Sequence, residues 1–233
     1  YLKGVKMEFL FWDPTMILLI PAIILAIWAQ MRVSSVYKKY TRVASAQGIT
    51  GEKAAQYLLQ RNGISDVSVE AVEGKLSDHY DPRSKAVRLS VDNYKGTSLS
   101  ALAVAAHEVG HAIQDNTGYL PLKLRHSILP ATNLGSWAAF PLFFIGMIFS
   151  TPMLMDIGII LFAGVVIFHF ITLPVEYNAS SRALAQLGDN GMLLQEEITG
   201  AKKVLNAAAL TYVAATAVAL LHLIRMLILR GDD

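Results

Sequence analysis

The sequence predicts a mainly α, polytopic membrane protein with about four transmembrane helices and a small α+β unit on the cytoplasmic side. Three observations predict it. Four segments stay apolar for roughly twenty residues, the length that crosses a bilayer at about 1.5 Å per residue. Apolar residues make up 54% of the 233 and charged residues only 16%, against roughly 25% charged in ordinary soluble proteins. The stretch between the first and second apolar segments instead alternates short apolar runs with turn residues, as a compact folded unit does. This composition excludes a disordered chain, and a net charge of +2 lacks the dense basic face of a nucleic-acid binder. Cysteine is absent, so any metal must be held by His and carboxylate.

Taken in order, Tyr1 to Lys6 precede Met7, which reads as a natural start, and are set aside as an added segment. The first span occupies residues 7–31, with its core from Pro14 to Trp28 or Met31, interfacial Trp12 and Trp28, and a kink expected at Pro21. Its core is too long for a signal peptide and has no small-residue cleavage site. Residues 32–126 form the cytoplasmic unit. There, Thr50 caps a helix from Gly51 to Asn62 whose stripe is Ala54, Ala55, Leu58 and Leu59, and Gly63 ends it. Val67 to Ala71, Ser77 to Tyr80 and Lys85 to Val91 read as strands of a small antiparallel sheet, with Asp81-Pro82-Arg83-Ser84 as a turn. After Gly96-Thr97-Ser98 a helix runs to about Asn116, uncharged until Glu108.

Residues 127–175 form a transmembrane hairpin, 176–203 return to the cytoplasm, and 204–233 hold the fourth span and a tail. Arg32, Lys38, Lys39 and Arg42 follow the first span and Arg182, Lys202 and Lys203 the third, whereas the hairpin tip has neither Lys nor Arg. Positive charge is retained inside, so both large loops are expected in the cytoplasm of a multi-pass cell-membrane protein.

The sharpest chemical signal is His107-Glu108-Val109-Gly110-His111. Histidines at i and i+4 share one helix face, so both imidazoles reach one metal at roughly 2.0–2.1 Å, and the intervening Glu stands as general base toward a metal-activated water. The neighbours Val104, Ala105, Ala106, Val109, Gly110, Ala112 and Ile113 are all uncharged, as a buried active-site helix requires. A catalytic zinc takes three protein ligands. Continuation of the same segment fails, because Gln114 and Thr117 stand where a Gly and a third His would be needed. Glu176, at the cytoplasmic exit of the third span, is the leading candidate, with Asp115, His79 and His126 as alternatives.

Four blocks of residues resemble the YugP-type membrane zinc metallopeptidases across nearly the whole chain from Met7: Asp13-Pro14-Thr15-Met16, Gly74 to Pro82, His107 to His111, and Glu176-Tyr177-Asn178-Ala179-Ser180-Ser181-Arg182. More distantly they resemble the HtpX and CAAX prenyl protease gluzincins, whose third ligand opens a Glu-x-x-Ala-Asp segment. That resemblance places Glu176 and Ala179 on the segment and puts Ser180 where the Asp would stand. It implies a zincin-like cytoplasmic unit and a membrane-bound zinc endopeptidase with one Zn2+ per chain on His107, His111 and Glu176.

The mechanism expected is metal-assisted hydrolysis of a polypeptide substrate, with Glu108 taking the water's proton and delivering it to the leaving amine. Candidates to face the developing oxyanion are Arg182 first, then Tyr177, Asn178, His126 and Tyr80. The strand Lys85 to Ser90, through Val87 and Leu89, is a candidate to pair with substrate backbone, and Asp78 to Asp81 are candidate substrate-facing residues. His169, His222 and Arg225 are ionisable groups inside apolar spans, for which a functional role or an interhelical bond is expected. The alanine run Ala207 to Ala219 suits helix packing within the chain, with a second copy or with another membrane protein. The alternative function is a catalytically silent metal-binding membrane scaffold or adaptor, and a transporter ranks third. Glu108 argues against a scaffold, since a structural metal has no use for a base.

Overall fold

A computed structural model describes residues 14–231. Tyr1 to Lys6, expected to be an added segment, the start of the expected first span with Trp12, and Asp13 of the first quoted block lie outside the described residues. Among the described residues, four helices are long and apolar enough to cross a membrane, within a mainly helical chain that also carries a small sheet. The chain divides into two compact units. Among the described residues, one comprises 14–29, Leu124–Thr172 and 212–231, and the other Gln30–Lys123 and Leu173–Thr211.

Each long helix extends past its apolar core. A 3-10 stretch Pro14–Leu19 leads into α1 (Ile20–Thr41). The change of helix type falls beside Pro21, whose missing N–H cannot serve the α ladder. Beyond Met31 the helix carries on, and Val36 and Tyr40 are buried in the second unit's core. Next come α2 (Gly51–Arg61), strands β1 (Ser68–Val72), β2 (His79–Asp81) and β3 (Ala86–Ser90), then α3 (Val91–Lys95) and α4 (Leu99–Asn116). The remaining helices are α5 (Leu120–Ile148), α6 (Pro152–Asp189) and α7 (Gln195–Gly231). The helix α6 thus continues past Val175, where the third apolar span ends in the sequence, and includes Glu176.

In the apolar unit, α5 and α6 approach closely through glycine. A Cβ at Gly158 would lie 2.7 Å from the Ala139 carbonyl, and one at Gly135 2.8 Å from that of Leu161. Phe143, Met155, Phe162, Val165, Met226 and Leu229 fill its core. Trp137 and Phe149 are 77% and 73% exposed, a liability in water and a fit to acyl chains. The polar groups in the spans find partners of different kinds. Arg225 Nε donates to Thr15 Oγ1 at 3.1 Å. The His222 ring lies edge-on to Phe140 and Phe162, and its Nδ1 has no hydrogen-bond partner among the described residues, so aromatic contact stands in place of the expected interhelical bond. His169 packs its ring on Phe168. Ala207, Ala209, Ala214 and Ala219 are buried inside the chain.

In the second unit α2 forms as its caps dictate. Thr50 Oγ1 accepts from the Lys53 amide at 3.3 Å, Gly63 adopts φ +68°, and all four stripe residues are buried. The sheet differs from expectation in two ways. It is mixed, in the order β1-β3-β2, with β1 parallel to β3 and β2 antiparallel to it. The hairpin turn does form, since Asp81 accepts from the Arg83 amide and the Ser84 hydroxyl at 3.0 and 2.7 Å. That hairpin leaves β3's far edge for β1, and pairing there is parallel. The strand Lys85 to Ser90 is therefore no edge: its residues from Ala86 on form the central strand, bonded on both sides, with Val87 and Leu89 fully buried in the core. It cannot take a substrate strand. Val91, expected to end that strand, instead opens the short helix α3.

Candidate metal centre

The centre is built on α4. Ser98 caps this helix, its Oγ accepting from the Ala101 amide at 3.2 Å. Glu108 and Asp115 are the only carboxylates along it, and the helix is buried over most of its length. His107 and His111 stand one turn apart, ring centroids 4.7 Å apart and nearly perpendicular. Glu176 of α6, 2% exposed, brings Oε2 to 3.2 Å from His107 Nε2 and 3.6 Å from His111 Nε2. The candidate ligand atoms of these three residues all lie within 4.8 Å of one another.

The donor set fits a divalent metal ion. Both imidazoles turn Nε2 toward the carboxylate and engage Nδ1 elsewhere, at 3.2 Å from Ser180 Oγ for His107 and 3.0 Å from Gln114 Oε1 for His111. An imidazole whose Nδ1–H is held by an acceptor presents its Nε2 lone pair to a cation. Ser180 lies one turn beyond Glu176 on the same face of α6, so the residue at the Asp position of the Glu-x-x-Ala-Asp segment meets a candidate ligand histidine.

Charge within the cluster is redistributed by burial. Burial pushes the Glu108 carboxyl up from the usual carboxylate range, against the pull of His107 and His111. For His111 burial opposes protonation, but the carboxylates of Glu176 and Glu108 outweigh it and raise the imidazole.

Two features, one of a glycine and one of an amide, escaped the sequence reading. Gly110, there noted only as uncharged, faces α6 so closely that a Cβ would lie 2.7 Å from the Ala179 carbonyl oxygen. Gln114 is fully buried and reaches from His111 to α6, its Nε2 donating to the Val175 carbonyl at 2.8 Å and to Asn178 Oδ1 at 3.0 Å.

The other candidates are engaged elsewhere. Asp115 accepts from the Tyr80 hydroxyl and from Lys85 Nζ, both at 2.8 Å. Burial, then that carboxylate, raises the Tyr80 phenol, so it stays a donor to Asp115. His79 is exposed with Nδ1 2.7 Å from the Ser77 carbonyl, and His126 belongs to α5 in the apolar unit. Asp78 accepts from the Ser90 amide and from Asn93 Nδ2, at 2.8 and 3.0 Å, and Asn93 Oδ1 accepts from the Tyr37 hydroxyl. It pins its loop to the end of β3 and, through Asn93, to α1. Arg182 Nε donates to Asn178 Oδ1 at 2.8 Å, and Tyr177 is 49% exposed.

Comparison with known proteins agrees with this centre. The chain matches the model of the family described as "Putative neutral zinc metallopeptidase" over residues 15–231. It is 49% identical over 218 residues to the "Putative membrane protease YugP" of Bacillus subtilis (strain 168), covering 93% of this chain and 97% of that one. No solved structure matches it. A helix with paired histidines, a carboxylate brought to them by a second helix, four candidate spans and a match of this extent lead to one conclusion: the chain belongs to the neutral zinc metallopeptidase family.

Proposed function

We propose that the chain is a membrane-embedded zinc-dependent endopeptidase that hydrolyses peptide bonds of membrane or misfolded proteins near the cytoplasmic face. The observation that carries this reading is the convergence of two imidazole Nε2 atoms with a buried carboxylate, beside a buried Glu108. His107, His111 and Glu176 would hold one zinc. When bound, zinc supplies a Lewis acid that polarises a carbonyl and lowers the pKa of water toward about 7. Glu108 takes the proton of the attacking water and passes it to the leaving amine, and burial that raises its carboxyl suits a group that must both accept and release a proton. Of the candidates for the oxyanion, Arg182 is tied to the ligand helix through Asn178, and Tyr177 stands on the next helix position after Glu176. With β3 paired on both edges, a substrate strand has β2, which packs against α4, as its place to add.

Two experiments test the reading. Metal analysis of the purified chain should give one zinc, and Glu176→Ala should lower the content well below one; unchanged zinc in that variant removes Glu176 from the ligand set. The basic clusters beside the spans argue that residues 32–126 and 176–203 lie in the cytoplasm. Lys53 should then resist protease added outside intact cells, and cleavage there would reverse the orientation.

A further inference from the structure

We infer that Gln114 is a positioning residue of the metal centre that decides which nitrogen of His111 faces the metal, an inference that rests on the zinc reading above. Each hydrogen bond around it has only one possible direction. The Val175 carbonyl can only accept, so the Gln114 atom 2.8 Å from it is the amide nitrogen. The second acceptor of that amide is Asn178 Oδ1, at 3.0 Å. The identity of that oxygen is set in turn by Arg182, a guanidinium with donors only, whose Nε lies 2.8 Å away. Both donors of Gln114 are thereby used on α6, and Oε1 is left facing His111 Nδ1 at 3.0 Å. An oxygen there requires a proton on Nδ1. The lone pair of His111 therefore sits on Nε2, the atom that points to Glu176.

The opposite flip is closed off. It would set Oε1 against two oxygens, those of Val175 and Asn178, at a side chain with no exposure to water that could relieve them. The same amide bonds the backbone of α6 one residue before Glu176, so one side chain orients a ligand of α4 and anchors the helix that brings the third. His107 has a hydroxyl, Ser180, in the matching place. A hydroxyl can donate or accept, so it imposes no direction, and the fixed polarity belongs to the His111 side alone.

The test uses the full chain in detergent. Zinc affinity is measured by competition with a chromophoric chelator for the parent and for Gln114→Met, which keeps length and volume but loses both the acceptor and the donors. Loss of an outer partner of a metal-bound histidine weakens affinity roughly 10- to 100-fold, and a weakening of that size is expected with the variant still folded. The second measurement needs no variant. In zinc-loaded protein labelled with ¹⁵N-histidine, His111 should carry its proton on Nδ1 with Nε2 on the metal. Affinity of folded Gln114→Met within twofold of the parent overturns the inference while leaving the zinc reading intact. So does a proton on Nε2. A parent that takes up no zinc overturns both.

Discussion

Cleavage of an unfolded or membrane-derived peptide is expected to fall about a thousandfold or more in Glu108→Gln, while zinc content and stability in detergent stay at parental values. The substitution keeps the side chain's size and its hydrogen-bonding atoms and removes only the base. A general acid–base group is worth roughly 10²–10⁴ in rate, and here one carboxylate serves in both directions of proton transfer. Because Glu108 is buried on a helix whose ligand histidines lie on either side of it in sequence, a neutral amide of the same shape leaves the ligand geometry in place. Turnover equal to the parent would sink Glu108 as the general base of the hydrolytic mechanism, whereas absence of turnover in both would leave the metal-binding scaffold. Loss of zinc together with activity would show that the centre itself had collapsed. A variant that keeps zinc and cannot cleave also offers a way to trap uncleaved substrate.

The parts of this fold that were legible in the sequence are those set by local periodicity or by residue chemistry at fixed spacing. Thr50 and Gly63 mark the ends of α2, and the apolar runs mark four spans, because capping and bilayer thickness act on neighbouring residues. The pairing of His107 with His111 follows from helix geometry alone. Long-range order was harder to read. The strand Ala86–Ser90 has apolar residues on alternate positions whether it lies at the edge or the centre, and only the short hairpin to β2 with β1 on its other side makes it central. Glu176 was reached through topology and resemblance, since nothing near it in sequence marks a ligand. Gln114 and Gly110 carry no signature by composition: their meaning lies in what α6 places opposite them, the Val175 and Ala179 carbonyls. Asp115, an alternative for the third ligand, and Tyr80, a candidate to face the oxyanion, could be told from the site only once β2 and the residue before β3 brought Tyr80 and Lys85 onto that carboxylate.

Gly110→Ala is expected to weaken zinc binding and peptide cleavage together by about a hundredfold, although alanine is the better helix former. Intrinsic propensity favours alanine over glycine by about 0.8–1 kcal/mol within a helix, so α4 by itself should be no less stable. The added methyl, however, would lie 2.7 Å from the Ala179 carbonyl oxygen and 3.2 Å from both the carbonyl carbon and the Cα of Ala179. These are backbone atoms of α6, with no rotamer to change, so the helix must move away by a large part of an ångström. Glu176 stands less than one turn before Ala179 and moves with it. Metal sites tolerate ligand displacements of only about 0.2 Å, and misplacement of reacting groups by about 1 Å costs roughly a hundredfold in rate. Chelator competition and peptide turnover, measured on the same preparation, should therefore fall in parallel, unlike Glu108→Gln, in which turnover falls alone. Parental zinc affinity in Gly110→Ala would mean that α4 and α6 are not held at this distance in the working protein, and would remove the close approach at Gly110 as the reason Glu176 meets the two histidines.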